Sequence, residues 1–508
     1  MGKISLPEDF HNFHVHFVGI KGTGMAAFVE ILFHNGAIIT GSDVSERFYT
    51  DEILDALGIT ALPFSQSNIT KDIGLVIYSS AYKLDQNPDL IAAQKLGVPC
   101  ALYTEALGAY SERAYSAGVC GVHGKTSTTG IVGTILSQLD LPAQALAGSV
   151  INSFGKKCVY TSPLFGAGNG SKPKTAAAAS SSCNKFFVAE TCEYQRHFMS
   201  FCPKIILLTS VESDHQDYYP TFADIQAAFV DYICKLPQGG TLVYCADDDG
   251  AEQTAKIAAA KRPDIALVPY GQKADGDYHL EYKSVADQKN NFSINFLGDA
   301  FLRFPGKHEV LDACGAAALC ACLLRVAGKN PSDYIEQIKA GLEKFEGGKR
   351  RSEVTGHAKN SFGDDIVFVD DYGHHPTAVK TTLAGFKEFY SSKKIIVDFM
   401  SHTYTRTAAL LSEFAQSFDS ADTVILNKIY ASARENPAAA NITGKTLADQ
   451  ASKFHRDVHY KEEFDEAAAF GADLLGQKAG DQFPGGYLFV TMGAGDNWKV
   501  AQKIMEKL

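Results

Sequence analysis

A lysine and a threonine at the start of a predicted helix have the chemistry to bind a phosphorylated ligand. They lie in the stretch GVCGVHGKTSTTG, residues 118–130. A strict phosphate loop reads G-x-x-x-x-G-K-[ST], and here a valine stands where its first glycine belongs. Gly121 and Gly124 still permit the tight turn. Lys125 can reach a β- or γ-phosphate, and the hydroxyl of Thr126 can ligate Mg²⁺. The stretch predicts a phosphate site, against the alternative of a GKT that occurs by chance.

Acidic residues and a histidine follow two further apolar runs of the same region. They lie in FFVAETCEY and LLTSVESDHQDYY and comprise Glu190, Glu193, Glu212, Asp214, His215 and Asp217. Parallel strands end at one edge of a sheet, where the phosphate loop must also open. Carboxylates are hard ligands that suit Mg²⁺. The convergence predicts a magnesium–nucleotide site, although surface charge would explain any one of these residues alone.

A glycine-rich turn, GIKGTGM at residues 19–25, follows the apolar run HVHFV and opens a helix. Backbone amides at such a helix start can bind a diphosphate, and an acid about 20 residues further on can accept a hydrogen bond from a ribose hydroxyl. Asp43 is placed for that contact. The spacing departs from the dinucleotide fingerprint because Lys21 occupies the place of the second glycine. A nucleotide diphosphate, NAD in an oxidoreductase, and a turn without a ligand all remain open.

A third group of polar residues lies in VDDYGHHPTAV and SHTYTRT, near the carboxyl end of the chain. Turn formation and helix capping are sufficient to explain Asp371 and Pro376. They do not explain two adjacent histidines together with an HxYxR cluster. We therefore predict a binding role for this group, which includes Asp371, Tyr372, His374, His375, His402, Tyr404, Thr405 and Arg406.

The elements that must position these residues alternate β-branched runs with helical stretches, which is typical of α/β domains with parallel strands. We predict three of them. Residues 1–113 form a Rossmann-like domain, residues 114–338 a central phosphate-loop ATPase-type α/β domain, and residues 339–508 a second Rossmann-like α/β domain. Residues 162–185, rich in Gly, Ser, Ala and Lys, read as a surface loop inserted in the central domain.

Length and composition agree with this organisation and exclude several functional classes. A chain of 508 residues exceeds what one core usually supports, and 45% hydrophobic with 21% charged residues is ordinary globular composition. We expect a cytoplasmic protein, since no apolar run reaches the length of a bilayer span. A net charge of −11 gives no footprint for nucleic acid. The eleven cysteines lack C-x-x-C spacing and suggest neither zinc nor disulfides.

Taken in order, these motifs resemble those of the Mur ligases of peptidoglycan synthesis. The resemblance covers the chain except residues 162–185, and DDYGHHP and HTYTRT are typical of the branch that adds alanine. It also rests on GIKGTGM, GVHGKTST, VAET, CEY, ESDHQDYY, GGKRRSE and MGAGD. It implies a bacterial cytoplasmic enzyme, monomeric or homodimeric, that uses ATP and Mg²⁺ to join L-alanine to UDP-N-acetylmuramate. The reaction would pass through an acyl phosphate and release ADP and phosphate.

The resemblance also implies roles for individual residues. Binding of the UDP end in the first domain falls to Gly22, Thr23, Gly24, Asp43, Ser79 and Ser80. ATP binding falls to Gly121, Val122, His123, Gly124, Lys125, Thr126, Ser127, Arg350, Arg351 and Asp371. Magnesium would be held by Thr126, Glu190 and His215, and the catalytic groups would be Lys125, Glu190, His215 and Arg351. The amino acid would meet Tyr372, His374, His402 and Arg406.

Two stretches depart from the family pattern. HEVLDA, residues 308–313, has Glu309 and Asp312 where the family has asparagines that contact adenine. A carboxylate can accept from the adenine amino group but cannot donate to a ring nitrogen. In HTYTRT, Thr403 replaces an arginine and leaves Arg406 to contact the alanine carboxylate. Two alternatives remain open: a sister ligase that recycles whole tripeptides, and a non-catalytic sugar-nucleotide binder.

Overall fold

The computed structural model describes residues 4–165, 185–216, 218–431 and 441–507. Most of the predicted insertion, residues 166–184, and Asp217 lie outside the described residues. The remainder forms three successive α/β units, as predicted. The boundaries proposed at 113/114 and 338/339 stay predictions. Within the described part of the chain, no helix is both long and apolar enough to cross a membrane.

The first unit is a four-stranded parallel sheet in the order β2-β1-β3-β4. Its strands are β1 (His14–Val18), β2 (Ile38–Ser42), β3 (Leu75–Tyr78) and β4 (Cys100–Leu102). Its helices are α1 (Thr23–His34), α2 (Asp51–Ala56), α3 (Pro88–Leu96) and α4 (Tyr103–Ser111). Local sequence sets the ends of α3, because the Asn87 side chain accepts from the amides of Asp89 and Leu90 and Gly97 adopts a left-handed φ of 71°.

The second unit is a seven-stranded sheet in the order β11-β10-β9-β5-β8-β6-β7, with only β7 antiparallel to its neighbour. Its strands are β5 (Tyr115–Cys120), β6 (Ala143–Ile151), β7 (Lys157–Thr161), β8 (Phe186–Glu190), β9 (Ile205–Leu208), β10 (Thr241–Cys245) and β11 (Ala266–Tyr270). A small antiparallel sheet adds β12 (Leu280–Ala286), β13 (Lys289–Ile294) and β14 (Gly298–Leu302). The helices are α5 (Lys125–Leu136), α6 (Phe222–Ile233), α7 (Asp249–Lys261), α8 (Lys307–Val326) and α9 (Ile335–Glu343).

The third unit is a six-stranded sheet in the order β15-β16-β20-β17-β18-β19, in which only β15 is antiparallel. Its strands are β15 (Glu353–Lys359), β16 (Asp365–Asp371), β17 (Lys394–Phe399), β18 (Thr423–Leu426), β19 (Val458–Tyr460) and β20 (Tyr487–Met492). Its helices are α10 (Pro376–Phe389), α11 (Tyr404–Ala409), α12 (Leu411–Ala415), α13 (Gly444–Ala451), α14 (Phe464–Leu475) and α15 (Trp498–Met505).

Contacts between the units bring three loop clusters together. Helix α1 of the first unit packs against β6 and β7 of the second, and α10 of the third packs against α8. The α10 contact is close, since a methyl group at Gly385 would come within 2.6 Å of the Cα atom of Gly306. In the central sheet, Val119 pairs with Glu190 and with Leu207. This register sets the ends of β5, β8 and β9 at one edge, where the predicted site residues follow.

Candidate active site

The phosphate-loop stretch folds as the glycine spacing predicts. The loop follows β5, and α5 begins directly at Lys125. Gly121 and Gly124 have φ values of 140° and 79°, a region that suits glycine. A side chain at Gly121 would also overlap the hydroxyl of Thr209, which donates to the carbonyl of Cys120. The two glycines are therefore sufficient for the turn, and the first glycine of the strict motif is not needed.

Lys125 is folded back over this loop. Its Nζ donates to Glu193 Oε2 at 2.9 Å, to the carbonyl of Val122 at 3.2 Å and to the carbonyl of Gly121. Burial opposes the charge, but the surrounding acidic groups, Glu193 first among them, together outweigh it and raise the pKa of Lys125 above its ordinary value. The ammonium is therefore charged at neutral pH, and an arriving phosphate would compete with these acceptors.

Glu193, which the sequence places only among the acids of a magnesium–nucleotide site, has a specific position in the structure. It is almost fully buried, and its two oxygens face Lys125 at 2.9 Å and His215 Nε2 at 3.3 Å. Burial favours the neutral acid, but Lys125 and His215 prevail and lower its pKa. The signal was present in the sequence, since Glu193 lies three residues after Glu190, just beyond the end of the strand. Glu193 therefore holds two predicted catalytic side chains in place.

Glu190 ends strand β8 and faces a cavity of about 310 Å³. Its Oε2 accepts from the amide of Gly148 at 2.6 Å, and a methyl group at Gly148 would come within 2.5 Å of the same oxygen. The cavity joins the first unit to the second. Its lining includes Glu190 and five of the six residues predicted to bind a UDP-sugar, namely Gly22, Thr23, Gly24, Ser79 and Ser80.

Asp43, the sixth residue, lies behind the glycine turn and does not line that cavity. Its carboxylate accepts from the amides of Lys21 and Val44 at 2.7 and 2.8 Å and from the Tyr82 hydroxyl at 3.2 Å. Burial, together with the Asp43 charge, raises the pKa of Tyr82 to about 12, so the phenol stays a donor. Asp43 shapes the turn, and its contact with a ribose stays a prediction.

The residues predicted to hold Mg²⁺ are compatible with that ion. Thr126 is buried in the first turn of α5, and Glu190 offers a carboxylate seated on one amide. His215 has a φ of 55°, and its ring lies 4.7 Å from the ring of Tyr194. A hydroxyl and a carboxylate are oxygen ligands of the kind that Mg²⁺ prefers. Thr126 lies at the start of α5 and Glu190 at the end of β8, both at the phosphate-loop edge of the sheet.

The third unit contributes a buried ion pair to the second. Arg406 donates through Nε and one Nη to Asp214 Oδ1 at 3.2 and 2.8 Å, and both side chains are buried. Although burial favours the neutral acid, Arg406 lowers the pKa of Asp214. Burial, with Arg406 adding, lowers the pKa of His374 well below its ordinary value. The ring of His374 lies 6.1 Å from that of His402 and 5.2 Å from that of Tyr372, so all four predicted amino-acid-binding residues gather here.

Tyr372 also lies beneath two arginines. The guanidinium groups of Arg350 and Arg351 each lie 5.3 Å from its ring centroid. Arg350 donates to Asp370 at 2.7 Å and to the carbonyl of Gly493, which fixes it within the third unit. Arg351 makes no ion pair within the described ranges. Asp371 accepts from the amides of Ser352 and Gly373. Asp371 thus orients the arginine segment, and the ATP contacts assigned to these three residues stay predictions.

The two acids of HEVLDA face the phosphate loop. Glu309 Oε1 accepts from the hydroxyl of Ser127 at 2.9 Å, while Oε2 is buried with no hydrogen-bond partner in the described part of the chain. The carboxylate of Asp312 lies against Gly124, where an added side chain would overlap it. Burial raises the pKa of Glu309 to about 7, and burial together with the charge of Glu309 raises the pKa of Asp312 well above its ordinary value. Their contacts with adenine remain untested.

This placement predicts a pH dependence of stability. The folded protein binds the Glu309 proton more tightly than the unfolded chain does, because the pKa of this carboxyl in the unfolded chain is 4.5. The contribution of Glu309 to the free energy of unfolding is therefore complete below pH 4.5. This contribution, on the order of 3 kcal/mol, is lost as pH rises through 7. Glu309→Gln, which keeps the acceptor for Ser127, should flatten the fall in urea midpoint between pH 5 and 8.

The control for this experiment is Glu466→Gln, at an exposed acid of α14. We expect the wild-type slope in that variant. A Glu309→Gln slope indistinguishable from the wild type would show that Glu309 is charged in the folded protein throughout this range.

Comparison with known proteins supports the three-unit architecture. Three family models match consecutive parts of the chain: "Mur ligase family, catalytic domain" over residues 14–115, "Mur ligase middle domain" over 119–320, and "Mur ligase, glutamate ligase domain" over 350–495. A UDP-N-acetylmuramate–L-alanine ligase of Treponema pallidum is 44% identical over 505 residues, 99% of this chain and 98% of that protein. The enzyme of that name from Borreliella burgdorferi is 34% identical over 497 residues, which are 97% of this chain and 98% of that protein.

Solved structures share the three-unit fold. The UDP-N-acetylmuramate–alanine ligase of Thermotoga maritima aligns with a TM-score of 0.72 at 24% identity, over 98% of this chain and 99% of that one. A murein peptide ligase of Psychrobacter arcticus aligns with a TM-score of 0.63 at 21% identity, over 97% and 98%. With all three units matched by family models and full-length relatives at 44% and 34% identity, the chain belongs to the Mur ligase family.

Proposed function

We propose that this protein is an ATP-dependent ligase that forms an amide bond between UDP-N-acetylmuramate and L-alanine, an early step of peptidoglycan synthesis. Full-length relatives at 44% and 34% identity carry the name of that activity. The structural observation that carries the proposal is the cavity that runs from the glycine turn of the first unit to Glu190, beside the phosphate loop. A sugar nucleotide bound along it would present its carboxylate to ATP.

The chemistry requires activation of a carboxylate, which is a poor electrophile. Its oxygen first takes the γ-phosphoryl group of ATP, giving an acyl phosphate and ADP. The amine of alanine then attacks the acyl carbon, and phosphate leaves. Mg²⁺, when held by Thr126, Glu190 and His215, neutralises charge on the phosphates. Lys125 supplies a further cation at the start of α5, where the transferred group would pass.

The third unit completes the proposed site. Arg351, with its guanidinium over Tyr372, would add a cation to the phosphoryl group in transfer. Arg406 would meet the alanine carboxylate while it remains paired to Asp214 across the seam between the second and third units. His374 is held neutral by burial, so it can lie beside an amine without repelling it. Packing of α10 on α8 closes the unit over the site, which excludes water from an acyl phosphate.

Release of phosphate tests the proposal directly. The protein is mixed with UDP-N-acetylmuramate, L-alanine and Mg-ATP, and each component is omitted in turn. We expect release only from the complete mixture, and a tripeptide in place of alanine should give little. Release that does not need the sugar nucleotide would refute the proposal. Preference for the tripeptide would indicate the recycling ligase, and absence of turnover with all substrates would indicate a sugar-nucleotide binder.

We further propose that the enzyme works in the bacterial cytoplasm, because its co-substrate ATP is made and used there. Cell fractionation followed by the phosphate-release assay checks this location. Recovery of the activity in the periplasmic fraction would contradict it.

A further inference from the structure

Three side chains from separate segments meet at the seam between the second and third units. His123 lies in the phosphate loop, Glu212 follows β9, and His375 caps α10. His123 Nε2 is 3.3 Å from Glu212 Oε2, and His375 Nδ1 is 3.7 Å from the same oxygen. One nitrogen or oxygen from each residue falls within 4.8 Å of the other two. These three residues are called the seam cluster.

Two of the three ligand spacings in the seam cluster match those of a tetrahedral metal site, and the third lies within 4.8 Å. Zinc lies about 2.0–2.2 Å from histidine nitrogen and carboxylate oxygen, which places neighbouring ligands roughly 3.4 Å apart. The distances of 3.3 and 3.7 Å fall near that value. Two imidazoles and one carboxylate are a set that zinc uses with a water molecule as fourth ligand. Mg²⁺ prefers oxygen ligands, so the cluster differs in kind from the site at Thr126 and Glu190.

A supporting contact orients Glu212 as the outer shell of a metal site does, since Glu212 Oε2 also accepts from the hydroxyl of Thr377 at 3.1 Å. The amide of Thr377 donates to His375 Nδ1 at 3.4 Å, a long bond that a metal at this nitrogen would replace. His375 is buried, with 7% of its surface exposed, and its Nε2 has no hydrogen-bond partner among the residues described. The nitrogen that faces Glu212 is Nδ1, so the proposed metal ligand is Nδ1 rather than the Nε2 that has no partner.

We propose that His123, Glu212 and His375 form a binding site for Zn²⁺ that is separate from the magnesium of the nucleotide. No pattern in the sequence indicated zinc. The ligands are two histidines and a glutamate rather than cysteines, and they come from segments about 90 and 160 residues apart in the chain. Two ligands belong to the second unit and one to the third. Bound zinc therefore ties α10 to the phosphate loop and favours the closed arrangement of the two units.

Cobalt substitution tests this site without reference to turnover. Co²⁺ is added to the full-length protein in excess Mg²⁺ and without nucleotide, and its visible absorption is recorded. We expect the intense bands of tetrahedral Co²⁺ at one equivalent, abolished by added Zn²⁺. Glu212→Gln, which keeps the acceptor for Thr377, and His123→Ala should each weaken Co²⁺ binding at least tenfold. Zn²⁺ should raise the thermal midpoint of the wild type and of neither variant.

The control is His357→Ala, at an exposed histidine of β15 that is not part of the seam cluster. Its Co²⁺ spectrum should equal that of the wild type. Only octahedral bands in the wild type would overturn the proposal, as would tetrahedral bands that survive both Glu212→Gln and His123→Ala.

Discussion

Lys125→Ala should lower the rate of phosphate release by two or more orders of magnitude. The reason is electrostatic: two anions must approach each other in the first step, and a buried, permanently charged ammonium at the helix start reduces their repulsion. Steady-state kinetics with all three substrates measure the loss. It should appear mainly in kcat, because the charge on the transferred group is greatest in the transition state.

The same change leaves the Glu193 carboxylate buried without its cation, so lost stability must be separated from lost catalysis. Lys125→Ala combined with Glu193→Gln removes both charges and should restore the thermal midpoint without restoring the rate. Lys95→Ala, at an exposed lysine of α3, is the matched surface control. Near-normal turnover in Lys125→Ala would refute the role assigned to this lysine.

Arg406→Ala should reduce kcat/KM for L-alanine by roughly 10²-fold or more. Truncating one partner of a buried charge pair costs about 2–5 kcal/mol, much of it from the partner left without a counter-charge. Here that partner is Asp214, in a different unit of the protein. The substitution therefore removes both the proposed contact with alanine and a bond that fixes the seam. Initial rates at varied alanine concentration measure the effect.

A double-mutant cycle separates these two contributions. Asp214→Ala with Arg406→Ala should cost less stability than the sum of the single changes, because neither charge is then left unpaired. The loss of kcat/KM for alanine should persist in the double variant. Arg47→Ala, which breaks an exposed pair with Asp55, is the control and should change neither quantity. An unchanged KM for alanine in Arg406→Ala would place the amino acid elsewhere.

The parts of the site that follow local rules could be predicted from the sequence. Glycine spacing defines the phosphate loop around Gly121 and Gly124, and parallel strands set Glu190 at the same edge. Side-chain direction could not be predicted, because it depends on segments distant in the chain. Asp43 turns toward the amide of Lys21, and Glu309 turns toward Ser127.

Pairings between units were also beyond the sequence. Nothing in ESDHQDYY indicates that Asp214 pairs with Arg406, or that Glu212 meets His375, since those partners lie more than 150 residues away. Arg350 and Arg351 are adjacent and chemically alike, and only the fold determines that Arg350 is the one that pairs with Asp370. Sequence patterns locate such residues at a loop, and packing between units then selects their partners.

Gly148 bears on the design of inhibitors. It lines the cavity between the first two units, and its amide holds the carboxylate of Glu190. Any side chain there would collide with that carboxylate. A compound that packs against this stretch of backbone would contact a surface that a resistance substitution at position 148 could change only by displacing the carboxylate of Glu190, which we propose as a magnesium ligand.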